Sequence, residues 1–151
     1  MRKIWKILSI VFALEIIAAL NGLITKNNIS TWYINLNKSN LTPPSYYFGI
    51  VWTLIYAILG YIAWLVWQTR NAILKKLYIF QMLLNWLWTP VFFGMHQTQI
   101  AVMVLMLLLI LVLLLAIKAF RLNKIISFLL IPYLIWLIFA FYLNLYIAIN
   151  N

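Results

Sequence analysis

The side chains with the most chemical potential in this sequence lie close together, in Gln81-Met82-Leu83-Leu84-Asn85-Trp86-Leu87-Trp88-Thr89-Pro90-Val91-Phe92-Phe93-Gly94. At helical spacing Gln81, Asn85, Trp88, Thr89 and Phe92 share one side. A carboxamide facing hydrocarbon leaves its polar atoms unpaired at a cost of roughly several kcal/mol, so this side is expected to face other helices or a ligand. Pro90 has no N–H and orphans the carbonyl of Trp86. Amides, hydroxyls and flat rings on one kinked helix are the chemistry of binding, and the stretch reads as the wall of a pocket.

Groups that could do covalent chemistry are scarce. The chain has one acid, Glu15, one histidine, His96, and no cysteine. Disulfides, thiolate catalysis and cysteine metal sites are excluded, and no paired carboxylates, nucleophile and base set or phosphate loop is present. Glu15 falls in an apolar run, where an ionised carboxylate costs roughly 2.5 kcal/mol or more. It reads as a protonated side chain bonded to a neighbouring helix, with a proton or ligand partner as the alternative. Ala18, Ala19 and Gly22 share its side and point to close helix packing. His96 reads as an exposed turn residue rather than a haem ligand, and no metal site is expected.

The elements that position these residues follow from composition. Hydrophobic residues make up 68% of the 151, aromatics 17% and charged residues only 8%, with a mean hydropathy of +1.05. That is more apolar surface than a soluble chain can bury, so the protein belongs in a lipid bilayer. The fold class expected is all-α: a single domain over residues 1–151, an integral membrane bundle of five transmembrane helices at approximately 4–24, 46–67, 77–93, 100–117 and 125–149. Each segment has the length of about 17–25 residues that a spanning helix needs. The first is not read as a cleaved signal, because Glu15 interrupts it and it runs past the usual length. Trp5, Trp67 and Tyr78 near segment ends suit an interfacial belt.

The net charge of +10 does not form a nucleic-acid face, since the cations flank apolar segments. Arg2, Lys3 and Lys6, then Arg70, Lys75 and Lys76, then Lys118, Arg121 and Lys124 share one side of a five-span chain, against Lys26 and Lys38 on the other. The positive-inside rule makes the N-terminus cytoplasmic, and a bacterial cytoplasmic membrane is favoured. Residues 25–45 form the one long connection, polar but carrying Trp32 and Tyr33, and are expected to cap the bundle mouth. Thr42 reads as the N-cap of the second helix, with Pro43 and Pro44 in its first turn.

Trp32-Tyr33, Thr42-Pro43-Pro44, Gly49-Ile50-Val51-Trp52-Thr53-Leu54-Ile55-Tyr56, Gly60-Tyr61, the stretch from Asn85 to Gly94, and Ile131-Pro132-Tyr133-Leu134-Ile135-Trp136 occur in this order. Together they resemble the tryptophan-rich sensory protein family, that of the mitochondrial translocator protein or peripheral benzodiazepine receptor. The resemblance runs from the first loop to the end of the fifth helix. It implies a five-helix bundle, usually a homodimer, whose pocket opens toward the first loop and takes porphyrins, haem-related tetrapyrroles and aromatic drug-like compounds as ligands rather than cofactors. It further implies a pocket lined by Trp52, Tyr56, Asn85, Trp88, Phe92, Trp136 and Ala140, capped by Trp32, Tyr33, Pro43 and Pro44. Asn144 lies one further turn along from Ala140.

The sequence departs from the family pattern at Lys38-Ser39-Asn40-Leu41, where a Lys-Pro-x-Trp pattern is common, and at Val104, where many members carry an acid. No basic residue follows Tyr146, so the weak sterol-recognition pattern is missing and tight cholesterol binding is not expected. The function expected is a non-enzymatic membrane receptor or carrier for tetrapyrroles. One alternative is an enzyme of light-dependent porphyrin breakdown, with Trp52 and Trp136 as its redox-active side chains. Another is a secondary transporter, although paired interrupted helices in related halves are not evident.

Overall fold

The computed structural model describes residues 2–151 and contains helices but no strand among them. The five helices are α1 (Arg2–Ile29), α2 (Ser45–Gln68), α3 (Ala72–Thr89), α4 (Thr98–Phe120) and a fifth in two pieces, α5 (Lys124–Leu129) and α6 (Ile131–Asn150). Four, counting α5 and α6 as one, are long and apolar enough to cross a membrane. The exception is α3, whose run is diluted by Lys75 and Lys76 at its start and by Gln81 and Asn85 within.

Local chemistry accounts for the boundaries. The side chain of Asn71 accepts from the Leu74 amide at 2.9 Å, and that of Asn123 from the Ile125 amide at 3.1 Å, so asparagine caps open α3 and α5. The second helix differs from expectation: Pro44, extended at φ −53° and ψ 144°, is its N-cap and Ser45 its first residue. A residue preceding proline is driven out of the helical region, which holds Pro43 outside the helix as well. The first helix runs five residues beyond Ile24, to Ile29. Thr25 and Asn28 bond back to the carbonyls of Asn21 and Ile24 at 3.1 and 2.9 Å, which lets a polar sequence finish the helix. Residues 25–29 therefore belong to α1 rather than to the capping loop.

Pro90 does not end its helix. The backbone widens into one π turn, Pro90–Gly94, in which the Met95 amide reaches the Pro90 carbonyl at 2.8 Å. The orphaned Trp86 carbonyl receives the Asn21 side-chain amide from α1 at 3.4 Å. Three-residue turns at 69–71, 95–97 and 121–123 force antiparallel neighbours. In the middle turn His96 takes φ 56°, the left-handed region. At Leu130 the fifth helix keeps αR geometry, and the Leu134 amide bonds its carbonyl at 2.9 Å.

The bundle is solid at one end and hollow at the other. Leu59, Ile62 and Val66 of α2, Leu74 of α3, Leu108, Val112 and Leu115 of α4, and Ile126, Leu130 and Leu137 of the fifth helix are buried in one core. All lie in the half away from the first loop. Tyr78 belongs to this core, its hydroxyl donating to the Leu59 carbonyl at 2.9 Å, and not to an interfacial belt. No residue of α1 whose side chain is described is buried. It rests on α2, where a Cβ on Gly60 would stand 2.6 Å from Val11 Cγ2 and 2.9 Å from Val11 Cα; the missing side chain permits the close approach. Outward-facing Phe12, Leu54, Leu83, Leu113 and Ile138 are exposed, as a lipid-facing surface requires.

Candidate ligand-binding cavity

In the hollow half a cavity of about 410 Å³ lies between α1, α2, the end of α3 and α6, with Tyr33 of the first loop among its lining residues. From α2 it is lined by Phe48, Trp52 and Tyr56, from α3 and the π turn by Asn85, Trp88, Phe92 and Phe93, and from α6 by Ala140, Leu143 and Asn144.

The polar atoms on this wall are held in place. The Tyr56 hydroxyl donates to Asn85 Oδ1, and Asn85 Nδ2 donates to the Tyr133 hydroxyl at 2.7 Å. Tyr133 in turn donates to Gln81 Oε1 at 3.3 Å. A second chain runs from Trp88 Nε1 to Asn144 Oδ1 at 2.8 Å and from Asn144 Nδ2 to the Thr98 carbonyl at 3.0 Å. Asn85 and Asn144 are tolerable in the interior because both ends of each amide are paired, whereas Gln81 Nε2 is buried without a partner; the pairing of Asn144 fixes the indole of Trp88 against the ring of Phe92, stacked at 5.2 Å.

The loop closes over this aromatic floor. Trp32 stands edge-on to Phe92 at 5.4 Å and stacks on His96 at 4.2 Å, while Asn28 Oδ1 lies 2.9 Å from His96 Nε2. Lys38 Nζ donates to the carbonyls of Tyr33, Ile34 and Leu36 at 2.9–3.0 Å. Asn37 and Asn151 exchange hydrogen bonds at 2.9 and 3.2 Å, tying the loop to the end of α6. Burial pushes the phenol of Tyr33 above its ordinary pKa, so it faces the cavity as a neutral hydroxyl near neutral pH. Pro43 and Pro44 do not line the cavity, nor does Trp32, which braces it from behind.

Trp136 is the main displacement from expectation. It lines a separate apolar groove of about 330 Å³ between α2 and α6, with Pro132 and Phe139. Each step of four residues overshoots a full helical turn by about 40°, so Trp136 sits about 80° around the axis from Asn144. Its ring meets Trp52 edge-on at 6.3 Å.

Sequence reasoning missed a whole wall. Glu15, Ala18, Ala19, Asn21, Gly22, Thr25, Lys26 and Ile29 of α1 line the cavity. Gly22 therefore makes space, since a Cβ there would meet nothing within 4 Å, while Ala18 both lines the cavity and packs against the core. Glu15 faces this space, and among the described residues it has no hydrogen-bonded partner on another helix. The available signal was the helical periodicity of residues 15, 18, 19, 22, 26 and 29. His96 is exposed in its turn, and the described residues contain no cluster of three metal-ligating side chains.

A multi-pass bundle enclosing an aromatic cavity under a tied loop defines a class: helical integral membrane proteins with an internal cavity. Residues 9–149 match the TspO/MBR family, and the chain belongs to it. It is 31% identical to the tryptophan-rich protein TspO of Archaeoglobus fulgidus over 99% of both chains. It is 33% identical to the human translocator protein, covering 75% of this chain and 70% of that one. With the tryptophan-rich sensory protein of Cereibacter sphaeroides it shares 34% identity over 75% of this chain and 72% of that one.

Proposed function

We propose that this protein is a membrane receptor or carrier that takes porphyrins, haem-related tetrapyrroles and similar flat aromatic compounds into the cavity between α1, α2, α3 and α6. The observation that carries the reading is the wall itself: the stacked pair Trp88 and Phe92 lines it together with Trp52 and Tyr56, with Asn85 and Asn144 as fixed polar points. Such faces suit a planar, amphipathic molecule, and about 410 Å³ falls within the roughly 300–1,000 Å³ of small-molecule sites. Relatives named translocator protein and tryptophan-rich sensory protein support a role in handling or sensing a ligand.

The loop charges support an orientation with the N-terminus cytoplasmic, in a bacterial cytoplasmic membrane, and the cavity mouth outside. A second reading, light-dependent oxidation of bound porphyrin, is favoured by the contact between Trp52 on the cavity wall and Trp136 behind it. Illumination of the bound complex with product analysis separates the two. The test of the main reading is titration of the purified protein with protoporphyrin, haem, biliverdin and cholesterol, followed by tryptophan fluorescence. Saturable quenching by the tetrapyrroles is expected; no saturable quenching by any of them overturns the proposal.

A further inference from the structure

The face of α1 that lines the cavity carries an ionisable side chain at each end. Glu15 lies at the inner end, beside the midpoint of the bundle, and Lys26 at the outer end, near Tyr33 and the loop. Eleven residues at about 1.5 Å each separate them by roughly 16 Å along the axis, with Ala18, Ala19 and Gly22 leaving the space between them clear. Neither side chain is spent on the protein: among the described residues Glu15 has no cationic partner and Lys26 no hydrogen bond. Lys38, the other cation at this end, is already bonded to three carbonyls of its own loop. An ionisable side chain at membrane depth that faces a cavity instead of a partner is suited to meeting a ligand.

We infer that Glu15 and Lys26 are the inner and outer poles of the cavity, selecting a tetrapyrrole that presents carboxylates to Lys26 at the outer end and terminal lactam groups to Glu15 at the inner end. The inference rests on the tetrapyrrole reading above and sharpens it. In an open-chain tetrapyrrole the propionates project from one edge and the terminal lactam groups lie at the opposite edge, which matches both poles. A closed protoporphyrin with its propionates at the mouth turns a methyl- and vinyl-bearing edge toward Glu15, which meets only one. The carboxylate on Lys26 is a charge-assisted hydrogen bond, which is the strong kind, and the lactam on the Glu15 carboxyl adds a second hydrogen bond, so the open-chain ligand gains most from this arrangement.

The experiment uses the full chain in nanodiscs and three probes: biliverdin, biliverdin dimethyl ester and protoporphyrin. Loss of one charge-assisted bond is worth about tenfold or more in affinity. Wild type is therefore expected to bind biliverdin about tenfold more tightly than either other probe. Lys26→Gln removes the advantage over the ester, whereas Glu15→Leu removes the advantage over protoporphyrin. Melting temperature is measured on each preparation, and Glu15→Ala takes the place of the leucine variant should that one fail to fold. Wild type that binds tetrapyrroles without preferring biliverdin, or variants that keep the preference, overturn the polar assignment alone. Wild type that binds none of the probes overturns this inference and the tetrapyrrole reading together.

Discussion

Two tryptophans in contact with each other have different surroundings, and this makes them separable. Trp52 presents its ring to the cavity, while Trp136 faces the groove between α2 and α6 with its indole N–H buried and unpaired. Trp52→Leu is expected to weaken tetrapyrrole binding by about 1–3 kcal/mol, the range for losing an aromatic face and its buried area. Trp136→Leu should lower the melting temperature more than the affinity. Equal losses of affinity in the two variants would mean that the ligand reaches both rings. Ala140 offers a test by volume. It is 8% exposed and lines the cavity, so Ala140→Leu should occupy ligand space and weaken binding by about 1–3 kcal/mol, the usual cost of extra methylenes in a rigid wall. Early melting with normal porphyrin affinity would instead identify Ala140 as a packing residue.

Among the elements, the junction of α3 with its π turn joins a local backbone defect to a distant helix. Pro90 removes the amide that would serve the Trp86 carbonyl, and Asn21 of α1 supplies the missing donor at 3.4 Å. The two features should be energetically coupled. Asn21→Ala is expected to destabilise the protein by about 0.5–1.5 kcal/mol, the net worth of one hydrogen bond. In a Pro90→Ala background, where the amide of residue 90 can serve that carbonyl, Asn21→Ala should cost almost nothing. Thermal melts of the two single variants and the double variant measure the coupling, and strict additivity would show that the contact is incidental. The orphaned carbonyl is legible in the sequence from Pro90 alone. Its partner is not, because Asn21 lies sixty-five residues away and only the packing of α1 on α3 brings them together.

At the scale of the molecule, the division into a packed half and a hollow half fixes which end can admit a ligand. The core residues of α2, α3, α4 and the fifth helix lie at the end with the cation-rich connections, whereas the cavity lies at the end of the loop that Asn37 and Asn151 tie down. If the cations are cytoplasmic, the cavity lies in the outer half of the bundle. Reporter fusions after Asn151 and within residues 70–76 are expected to give opposite topologies. The same topology at both points would contradict a chain that crosses the membrane five times.

The membrane class, the five helices and the polar, aromatic character of α3 are legible in the residues alone. These follow from hydropathy, turn chemistry and helical periodicity, and a helix satisfies its backbone within its own segment. The placement of Trp52, Tyr56, Asn85, Trp88, Phe92 and Ala140 on one wall was likewise legible, from the family motifs and the one-turn spacing. Only the tertiary structure decided that α1 supplies the facing wall, that Trp136 turns into another groove, and that Gly22 opens space while Gly60 closes it. Each depends on the rotation of a helix about its axis and on the gap to helices that do not follow it in the chain. Two glycines in apolar helices look alike in sequence; Val11 lies against one of them and nothing lies against the other.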